Sequence, residues 1–159
     1  MKPIKNILIT LGDPAGISGE VIVGALAALA RPRSALAKQI RELIVARPAN
    51  LYVAGDGNVL AQAKRIVRAN LPVEVVDAFS TKVQTPTRIR LFELSKLAKA
   101  DFRFGVPAYG REQLDYLDFA IEKARRGAVA AIVTAPMTKE AVRRALKSVC
   151  LVSHRQKPS

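Results

Sequence analysis

Two charged residues, each just past the end of an apolar run, are the groups in this chain best placed to meet a ligand. Asp13 lies in Gly12-Asp13-Pro14-Ala15-Gly16, after Ile7-Leu8-Ile9-Thr10-Leu11. Lys139 lies in Ala135-Pro136-Met137-Thr138-Lys139-Glu140, after Ala130-Ala131-Ile132-Val133-Thr134. A carboxylate at a strand exit can orient a substrate amine or hydroxyl; its competing role is to cap the next helix. A lysine at a helix start adds an ammonium to free backbone N–H groups, which suits a phosphate or carboxylate. Its competing reading is an exposed lysine in a first turn. Thr138, followed by Glu140, can cap the same helix. Gly55-Asp56-Gly57 ends a third apolar run and reads as a turn as readily as a site. The Gly12 loop lacks the G-x-G-x-x-G spacing, so it does not by itself point to a dinucleotide.

The elements that must position these residues are set by hydrophobic spacing. Asn6–Leu11 reads as a buried parallel strand. Asp13 or Ser18 can cap a helix over Gly19–Ala30, whose near-continuous apolarity predicts burial on more than one side. Arg31-Pro32-Arg33-Ser34 breaks it, and Ala35–Ala46 has helical spacing with Leu36, Ile40, Leu43 and Ile44 on one face. Leu51–Ala54 is a second strand, followed by a helix through Leu60, Ala63, Ile66 and Val67. Val73–Val76 is a third strand, Phe79–Thr87 a loop, and Arg88–Leu94 a half-buried or edge strand. Ser95–Ala108 reads as mostly irregular. A helix is predicted over Gly110–Arg126, with Leu114, Leu117, Phe119, Ile121 and Ala124 toward the core, and Gly127 stops it. Ala128–Thr134 reads as a buried strand and Lys139–Lys147 as the last helix. Strands alternating with helices predict an α/β protein with a parallel or mixed sheet and right-handed crossovers. Ligands of such sheets bind outside the carboxyl ends of the strands, where the Asp13 and Lys139 loops would line one cleft.

Composition narrows the classes. The 159 residues are half hydrophobic and a quarter charged, and carry a formal net charge of +13. A field of that sign attracts phosphates. The basic residues are spread along the chain, aromatics make up only 5%, and none is interleaved with the basic residues as a base-stacking platform requires. A solvated basic surface is therefore expected rather than a nucleic-acid face. No apolar run approaches the roughly 20 residues that span a bilayer, and the N-terminal run is too short for a signal peptide; a cytoplasmic protein is expected. Cys150 is the only cysteine and His154 the only histidine. An internal disulfide and a metal site of several imidazoles are thus excluded within one chain.

Gly12-Asp13-Pro14-Ala15-Gly16-Ile17, then Val53-Ala54-Gly55-Asp56, then Ala131-Ile132-Val133-Thr134-Ala135-Pro136 with Lys139-Glu140, resemble the N-terminal half of the 4-hydroxythreonine-4-phosphate dehydrogenase (PdxA) family of vitamin B6 biosynthesis. The segment around Gly105, Gly110 and Tyr116–Ala120 is similar to the family helix before the last of these strands. The likeness runs to about residue 148. It implies the first lobe of an isocitrate/isopropylmalate dehydrogenase-like fold and a cleft completed by a homodimer partner. It implies oxidation of a phosphorylated hydroxy-amino acid, 4-phosphooxy-threonine, with NAD or NADP and loss of a carboxylate. A divalent metal (Zn, Mg or Co) held by three histidines would polarise the reacting hydroxyl, with ligands outside this chain. Asp13, Lys139 and His154 are the positions it marks for substrate binding.

The chain also departs from the family pattern. Ile17 is followed by Ser18-Gly19-Glu20 where Gly-Pro-Glu is usual, and Thr138 stands where Asn or His is usual. Arg31–Pro48 resembles an insertion. Val152-Ser153-His154-Arg155-Gln156 occupies the place of a Gly-His-Thr-Glu segment. Residues 1–148 are expected to form the family-like α/β portion and 149–159 an atypical tail of a truncated or frame-shifted product, without dehydrogenase activity alone. The alternatives are a dehydrogenase of a phosphorylated sugar acid (threonate or erythronate phosphate) and a non-catalytic phosphate-binding remnant.

Overall fold

The computed structural model describes residues 4–46, 49–98 and 108–154, with the side chains of Val45 and of 148–154 excepted. Its elements are β1 (Lys5–Thr10), α1 (Ser18–Ala30), α2 (Ala35–Ala46), β2 (Ala49–Asp56), α3 (Gly57–Ile66), β3 (Val73–Val75), β4 (Ile89–Ser95), α4 (Gly110–Arg125), β5 (Ala131–Thr134) and α5 (Lys139–His154). The five strands form one sheet in the order β3-β4-β2-β1-β5, and every neighbouring pair is parallel.

Alternation along the strands sorts their side chains to the two faces. Leu11, Val53, Ile89 and Leu91 pack with Ile22, Val23 and Leu26 of α1 and with Val59, Leu60 and Ala63 of α3. Leu8, Tyr52, Ala54 and Phe92 pack instead with Ala120 of α4 and with Phe119 and Phe79. Phe92 sits between rings, 5.2 Å from Phe119 and 4.9 Å from Phe79 by centroid. The chain leaves β1 toward β2 on one side and reaches β5 on the other. The strand order therefore reverses beside β1, which makes the β1 and β5 exits the switch point where open sheets of this kind take ligands.

No helix joins β3 to β4. The connection instead crosses the α4 face as an irregular segment, and the sheet holds it by side chains. Asn50 donates to the carbonyls of Ser80 and Lys82 and accepts from the Gln84 amide at 2.8 Å. The Tyr52 hydroxyl accepts from the Ser80 amide at 2.7 Å. Fixing this loop lets two parallel neighbours be linked without a crossover helix.

Five expectations are corrected by the structure. β4 is an interior strand between β3 and β2, with Ile89 and Leu91 fully buried, because β3 covers its outer edge. β5 is an edge strand, and it leaves Val133 49% exposed where a buried strand was expected. Helix α4 turns Gly110, Gln113, Tyr116 and Ala120 inward. Its Leu114 and Leu117 are only half-buried and Ile121 is exposed. Helix α1 buries one side only, through Ser18, Gly19, Ile22, Val23 and Leu26. Ile17 before it and Val21 face outward, since no other described element covers them. Ser95 belongs to β4, so the irregular stretch begins at Lys96; residues 99–107, including Gly105, lie outside the described residues.

Candidate functional site

The loops after β1 and β5 are bonded to each other. The Pro136 carbonyl accepts from the Asp13 amide at 2.9 Å and from the Ser18 hydroxyl at 2.8 Å. Gly12 makes this approach possible. Its φ is +71°, and a Cβ there would lie 2.4 Å from the Pro136 oxygen and 2.9 Å from the Ala135 oxygen. Only a residue without a side chain fits both the dihedral and the gap.

Asp13 is the centre of this junction. One carboxylate oxygen accepts from the Ala15 amide at 2.9 Å, closing an Asx turn. The other accepts a very short hydrogen bond from the Thr138 hydroxyl. The Thr138 amide in turn donates to Gln113 Oε1 at 2.9 Å, so α4 holds the same loop from beneath. Neither Asp13 nor Ser18 caps α1. Ile17 occupies the cap position without a side-chain bond, because both polar side chains are used across the junction. Thr138 likewise turns its hydroxyl to Asp13.

Lys139 is the first residue of α5, immediately beyond Thr138. Its side chain is exposed, with no ion pair among the described residues. It lines a groove of about 670 Å³ with Pro136, Met137, Val142, Arg143 and Leu146. The nearby Glu140 carboxylate is held by Arg143 and Arg144, each at 2.9 Å. Hydrogen bonds from Arg144 and then Arg143 keep its pKa below the ordinary carboxylate value. The helix start therefore presents a net positive surface beside its free amides.

The structure thus brings Asp13 and Lys139 onto one joined pair of loops, with Asp13 inside and Lys139 outside. It does not bring His154 there. That residue ends α5, fifteen positions beyond Lys139, or roughly 22 Å along a helix axis. The side chains of His154 and Cys150 lie outside the described residues.

Asp56 is not in a turn. It closes β2, and α3 starts at once with Gly57. One carboxylate oxygen accepts from the Asn58 and Val59 amides at 2.8 and 3.1 Å, capping α3. The other accepts from the Ser95 hydroxyl at 2.8 Å and the Leu97 amide at 2.7 Å. Since Ser95 gives its one proton to Asp56, the Tyr116 hydroxyl donates to Ser95, at 2.6 Å. Burial, above all, pushes the Tyr116 phenol well above its ordinary pKa, so it stays a donor.

Gln113, Ser95 and Tyr116 carry these contacts and were not legible as site residues. The one sequence signal is Gln113, a polar residue on the stripe Tyr109, Gln113, Tyr116, Ala120, which repeats at helical spacing. Its Nε2 is buried without a partner among the described residues.

Among the described residues no three of His, Cys, Asp or Glu gather closely enough to hold a metal ion. The described residues thus offer no set of ligands for the metal that the resemblance implies, and no step is routed through one. No described helix is long and apolar enough to cross a membrane.

Comparison with known proteins agrees with this architecture. The profile of the family described as "Pyridoxal phosphate biosynthetic protein PdxA" matches residues 47–149. A 4-hydroxythreonine-4-phosphate dehydrogenase from Trichlorobacter lovleyi is 34% identical over 146 residues, which are 90% of this chain and 39% of that protein. A Clostridium botulinum protein named "Putative D-threonate 4-phosphate dehydrogenase" is 28% identical, over 89% of this chain and 38% of its own length. The crystal structure of a 4-hydroxythreonine-4-phosphate dehydrogenase from Burkholderia phymatum superposes with a TM-score of 0.69 at 29% identity, covering 88% of this chain and 38% of that one. The chain thus spans well under half the length of the proteins it matches. With its profile match covering more than half of the sequence and its sheet shared with a solved relative, the chain belongs to the PdxA family.

Proposed function

We propose that this chain supplies one wall of the substrate cleft of a dehydrogenase acting on a phosphorylated hydroxy acid, 4-phosphooxy-threonine, in pyridoxal phosphate biosynthesis. The observation that carries the reading is Lys139, free and at the head of α5, on a loop fastened to the β1 exit at the switch point. In this reading the Lys139 ammonium and the first amides of α5 hold an anionic group of the substrate. Asp13 is a positioning residue: its carboxylate sets the loop that carries Lys139 and does not touch substrate. His154 is left out of the site, because α5 carries it to the far end of the helix.

NAD or NADP, a divalent metal and a homodimer partner belong to the same proposal, with a cytoplasmic location, and rest on family membership. So does the division into a family-like portion, 1–148, and an atypical tail, 149–159. The metal would act as a Lewis acid on the reacting hydroxyl. Its ligands, and hence turnover, are not expected from the 159-residue chain alone. The relatives named for threonate phosphate favour a second reading, in which the substrate is the sugar acid rather than the amino acid.

Calorimetric titration of the purified chain with 4-phosphooxy-L-threonine, and separately with D-threonate 4-phosphate, tests this. Binding that falls about tenfold in Lys139→Ala is expected, the loss of roughly one charge-assisted contact. The tighter ligand of the two identifies the substrate class. No heat at millimolar concentration of either ligand would overturn the cleft-wall reading. Metal-dependent NAD(P) reduction by the chain alone would refute its proposed inactivity.

A further inference from the structure

A second hollow lies at the opposite end of the sheet from Lys139. It measures about 730 Å³. It lies where α1 and α3 end and β3 and β4 begin, between the Arg31–Ala37 corner, the Val67–Pro72 connection and Thr87. Three arginines, Arg31, Arg33 and Arg68, line it, and no acidic residue does. None of the three guanidiniums has an ion-pair partner among the described residues. The neighbouring arginines differ in this respect. Arg41 is engaged by the Leu29 and Ala30 carbonyls at the end of α1, and Arg88 by Glu74 at 3.5 Å.

The backbone aims one of the three at some cost. Arg68 has φ 52°, the only residue other than glycine with positive φ among the described residues. It follows α3 in a Schellman arrangement, with the Ala69 amide donating to the Lys64 carbonyl at 2.9 Å and its own amide to Arg65 at 3.3 Å. Glycine is the residue that position normally takes. An arginine held there places a long cationic side chain at the rim of the hollow. The floor is different in kind, made of Ala27, Ala30, Ala37, Leu71 and Pro72. Ser34 accepts from the Ala37 amide at 3.1 Å and so starts α2 at the same rim.

We propose that this hollow binds a small phosphate-bearing molecule. The arginines take the phosphate, for which their forked donors are suited, and the organic body lies on the alanine floor. The volume suits a metabolite or mononucleotide rather than a bare ion. The lining has no aromatic ring on which the bases of a nucleic-acid strand could stack.

Adenosine monophosphate, pyrophosphate and adenosine, titrated calorimetrically into the whole chain, test the assignment. AMP is expected to bind, pyrophosphate more weakly because it leaves the floor uncovered, and adenosine not at all. Arg68→Gly is expected to cut AMP affinity about tenfold without lowering the thermal midpoint, since glycine accepts that φ. Arg33→Ala, in the exposed corner between α1 and α2, gives an independent loss of similar size. Lys139→Ala, at the other end of the sheet, is expected to leave AMP binding unchanged. The proposal is overturned if AMP gives no heat at millimolar concentration. It is equally overturned if both arginine variants bind as before, or if only Lys139→Ala abolishes binding. Binding of a DNA oligonucleotide but not of AMP would also overturn it, in favour of a nucleic-acid face.

Discussion

Gly12-Asp13 and Gly55-Asp56 are the same dipeptide at the ends of adjacent parallel strands, and the fold uses them in opposite ways. Asp56 closes inward: four donors from two segments, the start of α3 and the end of β4, converge on its two oxygens, and α3 starts with no loop at all. Asp13 ties sideways, from one strand exit to another, and leaves a loop between β1 and α1. The residues just beyond each aspartate make the difference. Gly57-Asn58-Val59 accepts a helical path from the first residue, whereas Pro14 and Gly16 delay the helix to Ser18. One strand exit is thereby sealed, and the other becomes part of a surface that can receive a ligand.

Substitutions separate the two roles. Asp56→Ala should have the largest effect, destabilising by about 4 kcal/mol, because it strands several buried donors at once; urea unfolding followed by circular dichroism measures it. Gly12→Ala should cost about 3 kcal/mol from positive φ and from overlap with the Pro136 carbonyl. If the loops are joined as described, it should also weaken phosphoryl-ligand binding at Lys139, which Asp56→Ala leaves intact in whatever fraction stays folded. Asp13→Ala should cost about 2 kcal/mol, less than Asp56→Ala, since it frees only two donors. Equal costs for the two aspartates would erase the contrast.

The smallest effect belongs to the exposed Glu140. Its folded pKa lies below the unfolded value, so its contribution is complete above the unfolded value and is lost as pH falls through the lowered one. Glu140→Gln should flatten that acid-side slope in thermal melts, with only a slight loss of stability at neutral pH, where solvent screens the pairs with Arg143 and Arg144.

Much of this was legible in the residues. Period-two and period-3.6 spacing located the strands and helices, and the three loop motifs carried the family likeness. What escaped was set by partners distant in sequence. Nothing near Asp56 announces Ser95 or Leu97, about forty positions on. The exposure of β5 and the burial of β4 depend on strand order, which local pattern does not encode. The buried face of α4 was misjudged because Leu114, Leu117 and Ile121 are apolar, while the inward positions are Gly110, Gln113, Tyr116 and Ala120. There, fit against α5 and the hydrogen bonds to Thr138 and Ser95 outweigh hydrophobicity.

Gly110 has a mechanical meaning. A Cβ at that position would fall 2.0 Å from the Ala141 carbonyl oxygen, so the first turn of α4 rests directly on the backbone of α5. The two helices are pinned again where the Thr138 amide meets Gln113. The wall that carries Lys139 is therefore buttressed from behind, and any side chain added at Gly110 would have to shift α5, and Lys139 with it.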